Sequence, residues 1–174
     1  MTTALTGTPG VGKTTVSEVL RERGYNVLDL NEFIRDKDLL GDEDVERDTF
    51  EVEIDEMIRI FEEERPDIDM IEGHLSHYLP VSATVVLRCE PSELEERMEN
   101  KGWNWKKIEE NLEAEILDTI LIQAVEKNEK VLEIDTTGSD PSKVASSVEE
   151  IMKGKTKAYE PGSVDWSHEL LLRQ

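Results

Sequence analysis

Apolar residues return along this chain in two rhythms, and their alternation predicts an α/β protein. Thr2 to Thr6 and Tyr25 to Leu30 read as short strands, Ile68 to Ile71 and Thr84 to Leu87 as buried ones, and Lys130 to Ile134 as the last. Between them the spacing turns helical. Val16, Val19 and Leu20 form one row that stops at Gly24, and a short helix starts near Asn31. Phe50, Ile54, Met57, Ile58 and Phe61 then make an i, i+4, i+7 stripe that ends before Pro66, the signature of a helix packed on a core. A further helix opens at Pro91-Ser92, where Glu93 to Glu96 suit its positive end, carries Leu94 and Met98 on one face and halts at Lys101-Gly102. A longer one is predicted from about Trp105, with Ile108, Leu112, Ile116, Ile120 and Ala124 in one row; the last covers roughly Pro141 to Lys153, entered through Asp140. Strands and helices in this order fit a central, mostly parallel sheet of about five strands flanked by helices.

Two stretches fall outside this pattern. Residues 37–48 are dense in Asp and Glu, contain Gly41 and lack apolar periodicity, which predicts a mobile surface insert. Beyond Gly154, residues 155–162 read as a linker into Val164 to Leu172, whose Trp166 and leucines are expected to dock on the chain's own domain. The division is thus a core over 1–154 and a tail over 155–174. At 174 residues the core is large enough to fold without disulfides or metal staples.

Charge sharpens the picture. There are 41 acidic against 20 basic residues, a formal net charge of −21. Bare nucleic acid is disfavoured as a partner, because a phosphate backbone needs cations to replace its counterions. Two readings of the acidity stand side by side: a surface solvated for high salt, and a docking face for a basic partner. Cys89 is the only cysteine, so no disulfide framework exists, and its place after Val85-Val86-Leu87 predicts a packed strand-end thiol. No long apolar span or leader-like segment is seen, so the expectation is a cytoplasmic protein without a membrane partner.

The chemistry enters at Gly7-Thr8-Pro9-Gly10-Val11-Gly12-Lys13-Thr14-Thr15, a complete G-x-x-x-x-G-K-[ST] motif between a predicted strand and a predicted helix. Its glycines let backbone N–H groups curl around a polyphosphate, Lys13 reaches the terminal oxygens, and the Thr14 hydroxyl is a ligand for Mg²⁺. The expected fold is therefore the three-layer P-loop NTPase fold, and the expected ligand Mg²⁺ with ATP. At the end of a later strand, Glu72 is the best acidic contact for Mg²⁺ or water, ahead of Asp69, which lies inside the strand. Gly73 permits close backbone approach, and His74 is placed to orient a water or meet a transferring phosphate. A metal site made of His74 and His77 finds no third soft ligand nearby.

Phosphoryl transfer also needs cations over the moving group. Arg35 lies on the short helix after the second strand, and Arg97 and Lys101 stand four apart on one helix face beside Gly102. Pairing with Glu93 or Glu96 is the alternative role for Arg97 and Lys101, and Arg88 reads equally well as a structural ion pair.

Taken together, Gly7–Thr15, Ile71-Glu72-Gly73-His74, Val85 to Pro91 and Arg97 to Asn111 resemble the adenylate kinase isoenzyme 6 family, over residues 1 to about 152. These are small nucleotide kinases that also act in small-ribosomal-subunit maturation and rRNA processing, and the acidic sequence is similar to archaeal members. The resemblance implies that Gly10, Val11, Gly12, Lys13, Thr14 and Thr15 hold ATP phosphates. It implies a monophosphate-binding segment over about 29–50, with Asp29, Arg35 and Gly73 on the substrate side. Glu72 and His74 match an acid-x-His element that organises Mg²⁺ and water, residues 100–110 a short lid, and Arg97 the arginine beside it. Lys101 departs from the family's arginine, keeping the charge but losing the planar fork. The implied activity is transfer from ATP to AMP, giving two ADP, together with ATP hydrolysis; a nucleotide-driven ATPase switch is the alternative. The implied partners are ATP, ADP and AMP, a basic small-subunit ribosomal protein of the uS11 type, and pre-ribosomal particles.

Overall fold

The computed structural model describes residues 2–44, 49–64 and 66–172. Five strands form a parallel sheet: β1 (Thr3–Gly7), β2 (Val27–Asp29), β5 (Met70–Glu72), β6 (Ala83–Arg88) and β7 (Val131–Asp135), in the order β2-β5-β1-β6-β7. Register is set by pairs such as Leu5 with Glu72, Asp29 with Glu72 and Leu87 with Ile134. Alternate side chains enter two different cores, so the sheet is covered on both faces and its strands read as continuous apolar runs. Leu5, Met70, Val85 and Leu132 join a cluster with helices α1 (Lys13–Glu22), α4 (Pro91–Asn100), α5 (Trp105–Ile116) and α7 (Pro141–Met152). Ala4 and Ile71 face the opposite way, into a cluster with α2 (Leu30–Asp36) and α3 (Ile54–Glu64), where Phe33 and Phe61 meet edge to face at 6.0 Å. The three-layer α/β architecture is therefore as expected.

The ends of these elements follow local chemistry. Asp29 caps α2 by accepting from the N–H groups of Asn31 and Glu32, Asn104 caps α5 through Lys107, and Asp140 caps α7 through Ser142. Pro91 and Pro141 occupy the first turns of α4 and α7, where a missing N–H costs nothing. Among the described residues no helix is long and apolar enough to cross a membrane.

Two expectations are corrected. The acidic stretch over 37–48 is not irregular throughout: β3 (Leu40–Asp44) and β4 (Thr49–Val52) pair antiparallel, with a bulge between Leu40 and Glu43. A ladder is made of backbone groups, so acidic side chains do not forbid it; residues 45–48 and the packing of Phe50 lie outside the description. The apolar row from Ile108 to Ala124 is also not one helix. It breaks between α5 and α6 (Thr119–Lys127), where Asp118 takes a left-handed conformation with φ 56°. No glycine or proline marks this break. Its cause is tertiary, because the Asp118 carboxylate accepts from Nη2 of Arg88.

Arg88, 1% exposed at the end of β6, is a cation almost wholly enclosed by the fold. Its Nε donates to Oε1 of Glu115 at 2.8 Å and its Nη1 to Oε1 of Glu133 at 2.9 Å, both carboxylates being buried as well. The structural role for Arg88 thus holds. In the segment after α7, Tyr159 donates to Glu150 of that helix, the N–H groups of Gly162 and Ser163 return to the Arg88 centre at Oε2 of Glu133, and Leu170 of α8 (Glu169–Leu172) lines a groove with Leu112 and Ile116 of α5.

Removing one member of a buried ionic cluster strands the others without a partner. Arg88→Leu should therefore lower the unfolding free energy by about 3–5 kcal/mol, read by urea denaturation. A loss under about 1 kcal/mol would show that the carboxylates find other partners.

Candidate functional site

All five parallel strands end on one edge of the sheet, and their last residues are Gly7, Asp29, Glu72, Arg88 and Asp135. The loop after β1 occupies the middle of that edge, because β1 is the central strand. Gly7, Gly10 and Gly12 have φ of 138°, 101° and 110°, values that side chains rarely adopt. At Gly7 the space is also closed, since a Cβ would stand 2.4 Å from the carbonyl oxygen of Leu87. The loop runs into α1, so the unpaired N–H groups and positive end of that helix face the same space.

Lys13 is folded back into the loop, its Nζ donating to the carbonyls of Gly7 at 2.7 Å and Thr8 at 3.1 Å. Burial lowers its pKa to about 8, with Glu72 opposing the shift and Lys101 adding to it. An incoming phosphate would meet a cation held by two neutral acceptors, which a phosphate oxygen can replace.

Glu72 is buried at the tip of β5. Its carboxyl is pushed up by burial and then by the neighbouring Asp29 carboxylate, and is restrained by Lys13, Arg21 and a hydrogen bond with the Thr14 side chain. Two close carboxylates and a hydroxyl, all oxygen donors, suit Mg²⁺, which takes one or two carboxylates and completes its shell with phosphates and water. Gly73, with φ 155°, allows close approach, but to Leu30: a Cβ there would lie 2.8 Å from that of Leu30. Its visible service is to pack the strand end on α2.

His74 and His77 follow. Burial first, then Lys13 and His77, lowers the His74 pKa to about 4; burial and Lys127 lower that of His77 likewise to about 4, against hydrogen bonds with Gln123 and the His74 backbone. Both imidazoles are neutral at pH 7. Thr6 joins them, its Oγ1 lying 3.2 Å from the His74 carbonyl oxygen and 3.1 Å from Nδ1 of His77. His74 faces the Lys13 charge, whereas His77 is a buried brace.

On the other flank, a cleft of about 440 Å³ is lined by Gly10, Gly12, Thr15, Arg97, Lys101 and Val144 among others. Nη1 of Arg97 donates to the Val11 carbonyl at 3.1 Å and to Oγ1 of Thr136 at 3.3 Å, while Nη2 reaches Glu93 at 2.5 Å and the Thr136 carbonyl at 3.2 Å. Arg97 thus makes the pairing with Glu93 and also borders the loop. Lys101 is exposed at the cleft mouth, with its Nζ 5.6 Å from the Trp103 ring centre; Lys107 approaches the same ring at 5.0 Å. Arg35 is exposed on the last turn of α2. Residues 100–110 form the turn between α4 and α5 and the first half of α5, anchored by buried Ile108. The Cys89 thiol is buried and pushed up to about 12, first by burial, which suits packing and not nucleophilic attack.

Sequence reasoning missed Thr8, Glu115 and Thr136. Thr136 donates to the Val11 carbonyl at 3.0 Å and to that of Arg88 at 2.8 Å, joining the end of β7 to the phosphate loop. Its signal was present: Asp135-Thr136-Thr137-Gly138 directly follows an apolar strand that ends on the functional edge.

A phosphate loop with its lysine, an acidic strand tip beside it and a cleft along one flank define a P-loop nucleotide-binding protein. Comparison with known proteins agrees. The model of the AAA domain family matches residues 4–118. Proteins that carry the name "Putative adenylate kinase" are 40% identical in Thermococcus onnurineus (97% of this chain, 93% of that protein) and 43% identical in Archaeoglobus fulgidus (98% and 94%). The one from Methanothermobacter thermautotrophicus is also 43% identical, over 96% of this chain and 98% of its own. Among solved structures, a shikimate kinase from Bacteroides thetaiotaomicron has a TM-score of 0.55 at 18% identity (88% of this chain, 98% of that one). A gluconokinase from Sinorhizobium meliloti reaches 0.56 at 15% identity, covering 90% and 94%. The two structures share its fold. The chain belongs to the AAA domain family and, within it, to the group formed with these archaeal relatives.

The His77 shift carries a sign that can be tested. Its pKa is lower folded than unfolded, so between pH 6.5 and about 4 the unfolded chain binds more protons, and stability falls as pH falls through that window. His77→Gln should flatten this part of the profile in thermal melts from pH 7 to 5; a slope equal to wild type would contradict the buried neutral ring.

Proposed function

We propose that the chain is a nucleoside monophosphate kinase of the adenylate kinase type, transferring the γ-phosphoryl group of Mg-ATP to AMP. The observation that carries this reading is the position of Lys13 between two flanks of one sheet edge: the Arg97 cleft on one side, Asp29, Glu72 and α2 on the other. The name borne by the archaeal relatives supports it. ATP phosphates would lie on the N–H groups of Gly10 to Thr15, with the nucleoside along Arg97, Thr136, Pro141 and Val144. AMP would enter over β2, α2 and the β3–β4 hairpin, where Arg35 supplies a cation. Bound Mg²⁺, held by Thr14 and by Glu72 through water, would neutralise charge on the phosphates.

The chain's own residues then work by placement and charge. Lys13 exchanges its two carbonyl partners for phosphate oxygens. Lys101, leaving the face of Trp103, adds a second cation over the transferring group. Arg97 stays tied to the Val11 carbonyl and holds the wall of the cleft. The AMP phosphate oxygen attacks the γ-phosphorus as the bond to the ADP oxygen breaks, and no covalent enzyme intermediate forms.

A second activity, ATP hydrolysis, is favoured by His74. A neutral imidazole close to Lys13 can hold a water without adding positive charge to the phosphates. In that reading the nucleotide cycle serves small-subunit maturation in the cytoplasm, and the −21 charge accommodates a basic ribosomal protein.

Separate measurement of ADP and free phosphate, with and without AMP, tests the reading. The kinase predicts two ADP per AMP consumed and little phosphate; phosphate release indifferent to AMP would replace it by the ATPase. Lys13→Ala should cut both activities at least about a hundredfold, since both depend on the same phosphate contact. His74→Ala should lower hydrolysis while leaving the ATP Kd within about twofold, and unchanged hydrolysis would remove His74 from the chemistry.

A further inference from the structure

Glu115 is a buried carboxylate that the proposed chemistry does not use, yet it touches the phosphate loop directly. Its Oε2 accepts from Oγ1 of Thr8 at 2.5 Å, and its Oε1 from Nε of Arg88 at 2.8 Å and the Cys89 N–H at 3.1 Å. Thr8 is the second residue of the phosphate motif, and its carbonyl is one of the two that hold Lys13. The network continues in the other direction. Arg88 donates to Oε1 of Glu133, and Oε2 of Glu133 accepts from the N–H groups of Gly162 at 3.0 Å and Ser163 at 3.2 Å, with the Ser163 hydroxyl at 3.4 Å.

An unbroken line of hydrogen bonds therefore runs from the segment after α7 to the loop that grips phosphate. With the segment seated, its three charged members have side chains no more than 2% exposed, so solvent does not screen them. The same segment reaches α5, the helix that bears Glu115, a second time, through Leu170 beside Leu112 and Ile116. Residues 162–170 lie outside the matched family domain, which ends at residue 118.

We propose that Glu115 is a positioning residue of the phosphate loop, and that the C-terminal segment at Gly162–Ser163 tunes nucleotide affinity through Glu133, Arg88 and Glu115. The inference rests on the reading of the loop as the ATP phosphate site. When the segment is seated, Glu133 shares its charge between Arg88 and two backbone N–H groups. When it lifts, that carboxylate turns wholly to Arg88, which draws the guanidinium from Glu115 and loosens the hold of Glu115 on Thr8. Linkage is reciprocal, so ATP binding must in turn hold the segment down by the same factor.

The test uses full-length chains: wild type, Thr8→Val, Glu133→Gln and the double variant. Thr8→Val cuts the loop from the network with little change of shape. Glu133→Gln keeps shape but sets an amide NH₂ donor against either Arg88 or the Gly162 and Ser163 N–H groups. In the wild-type background Glu133→Gln should raise the Kd for ATP by about three- to tenfold, and in the Thr8→Val background by less than about twofold. Amide exchange supplies a readout that a merely structural role would not move. ATP should slow exchange at Gly162 and Ser163 at least about threefold in wild type and leave it unchanged in Thr8→Val. If Glu133→Gln fails to fold, this comparison still decides. Equal effects of Glu133→Gln in both backgrounds, or amides indifferent to bound ATP, would overturn the coupling while leaving the phosphate site intact; no ATP binding by wild type would remove both.

Discussion

A guanidinium shut away from water must be surrounded by acceptors, and Arg88 imposes that requirement on most of the C-terminal half of the molecule. It stands at the tip of β6, next to the central strand, where only carboxylates can balance it. Glu115 comes to it from α5, Asp118 from the break before α6, and Glu133 from β7. The path of the chain between Trp105 and Val131 is shaped by this demand as much as by its apolar row. Such clusters add little net stability over an apolar core, but each member is costly to remove, so they specify one arrangement. Here the arrangement is that of the loop after β1, since Glu115 also binds Thr8.

The same economy of cations governs the site. In a chain of net charge −21, positive groups gather where strands end: Lys13 inside the loop, Arg97 along the cleft, Lys101 at its mouth. Arg97 is held by backbone and by Glu93, whereas Lys101 is exposed and rests against Trp103. One cation is built into the wall of the cleft and the other stands at its mouth. The acidic side is equally ordered, for Glu72 and Asp29 face each other across β5 and β2 at a distance set by strand register. Their mutual repulsion is an electrostatic reason to admit a divalent cation.

Much of this could be read from the residues. Short apolar runs located every strand of the main sheet, because a sheet buried on both faces leaves its strands continuously apolar. The phosphate loop was legible for a stronger reason: its chemistry needs glycine, lysine and threonine at fixed offsets, and positive φ at Gly7, Gly10 and Gly12 admits little else. What escaped depended on partners distant in sequence. Asp118 breaks a helix because of Arg88, thirty residues earlier, and nothing beside it announces this. Glu115 looked like one more acidic residue on a helix in an acidic chain, and only the fold brings it to Thr8 across 107 positions. The pairing of β3 with β4 was hidden because its ladder is backbone chemistry, in a stretch dense in Asp and Glu and without apolar periodicity.

In the proposed kinase, one loop built around Lys13 serves two nucleotides at once. An analogue in which two adenosines are joined through five phosphates is its most direct probe, because it should span both flanks of the loop. Isothermal titration of the folded chain should give one analogue per chain, bound far more tightly than ATP or AMP alone and excluding both. An analogue that binds no better than ATP, and leaves AMP binding untouched, would contradict the two-nucleotide site.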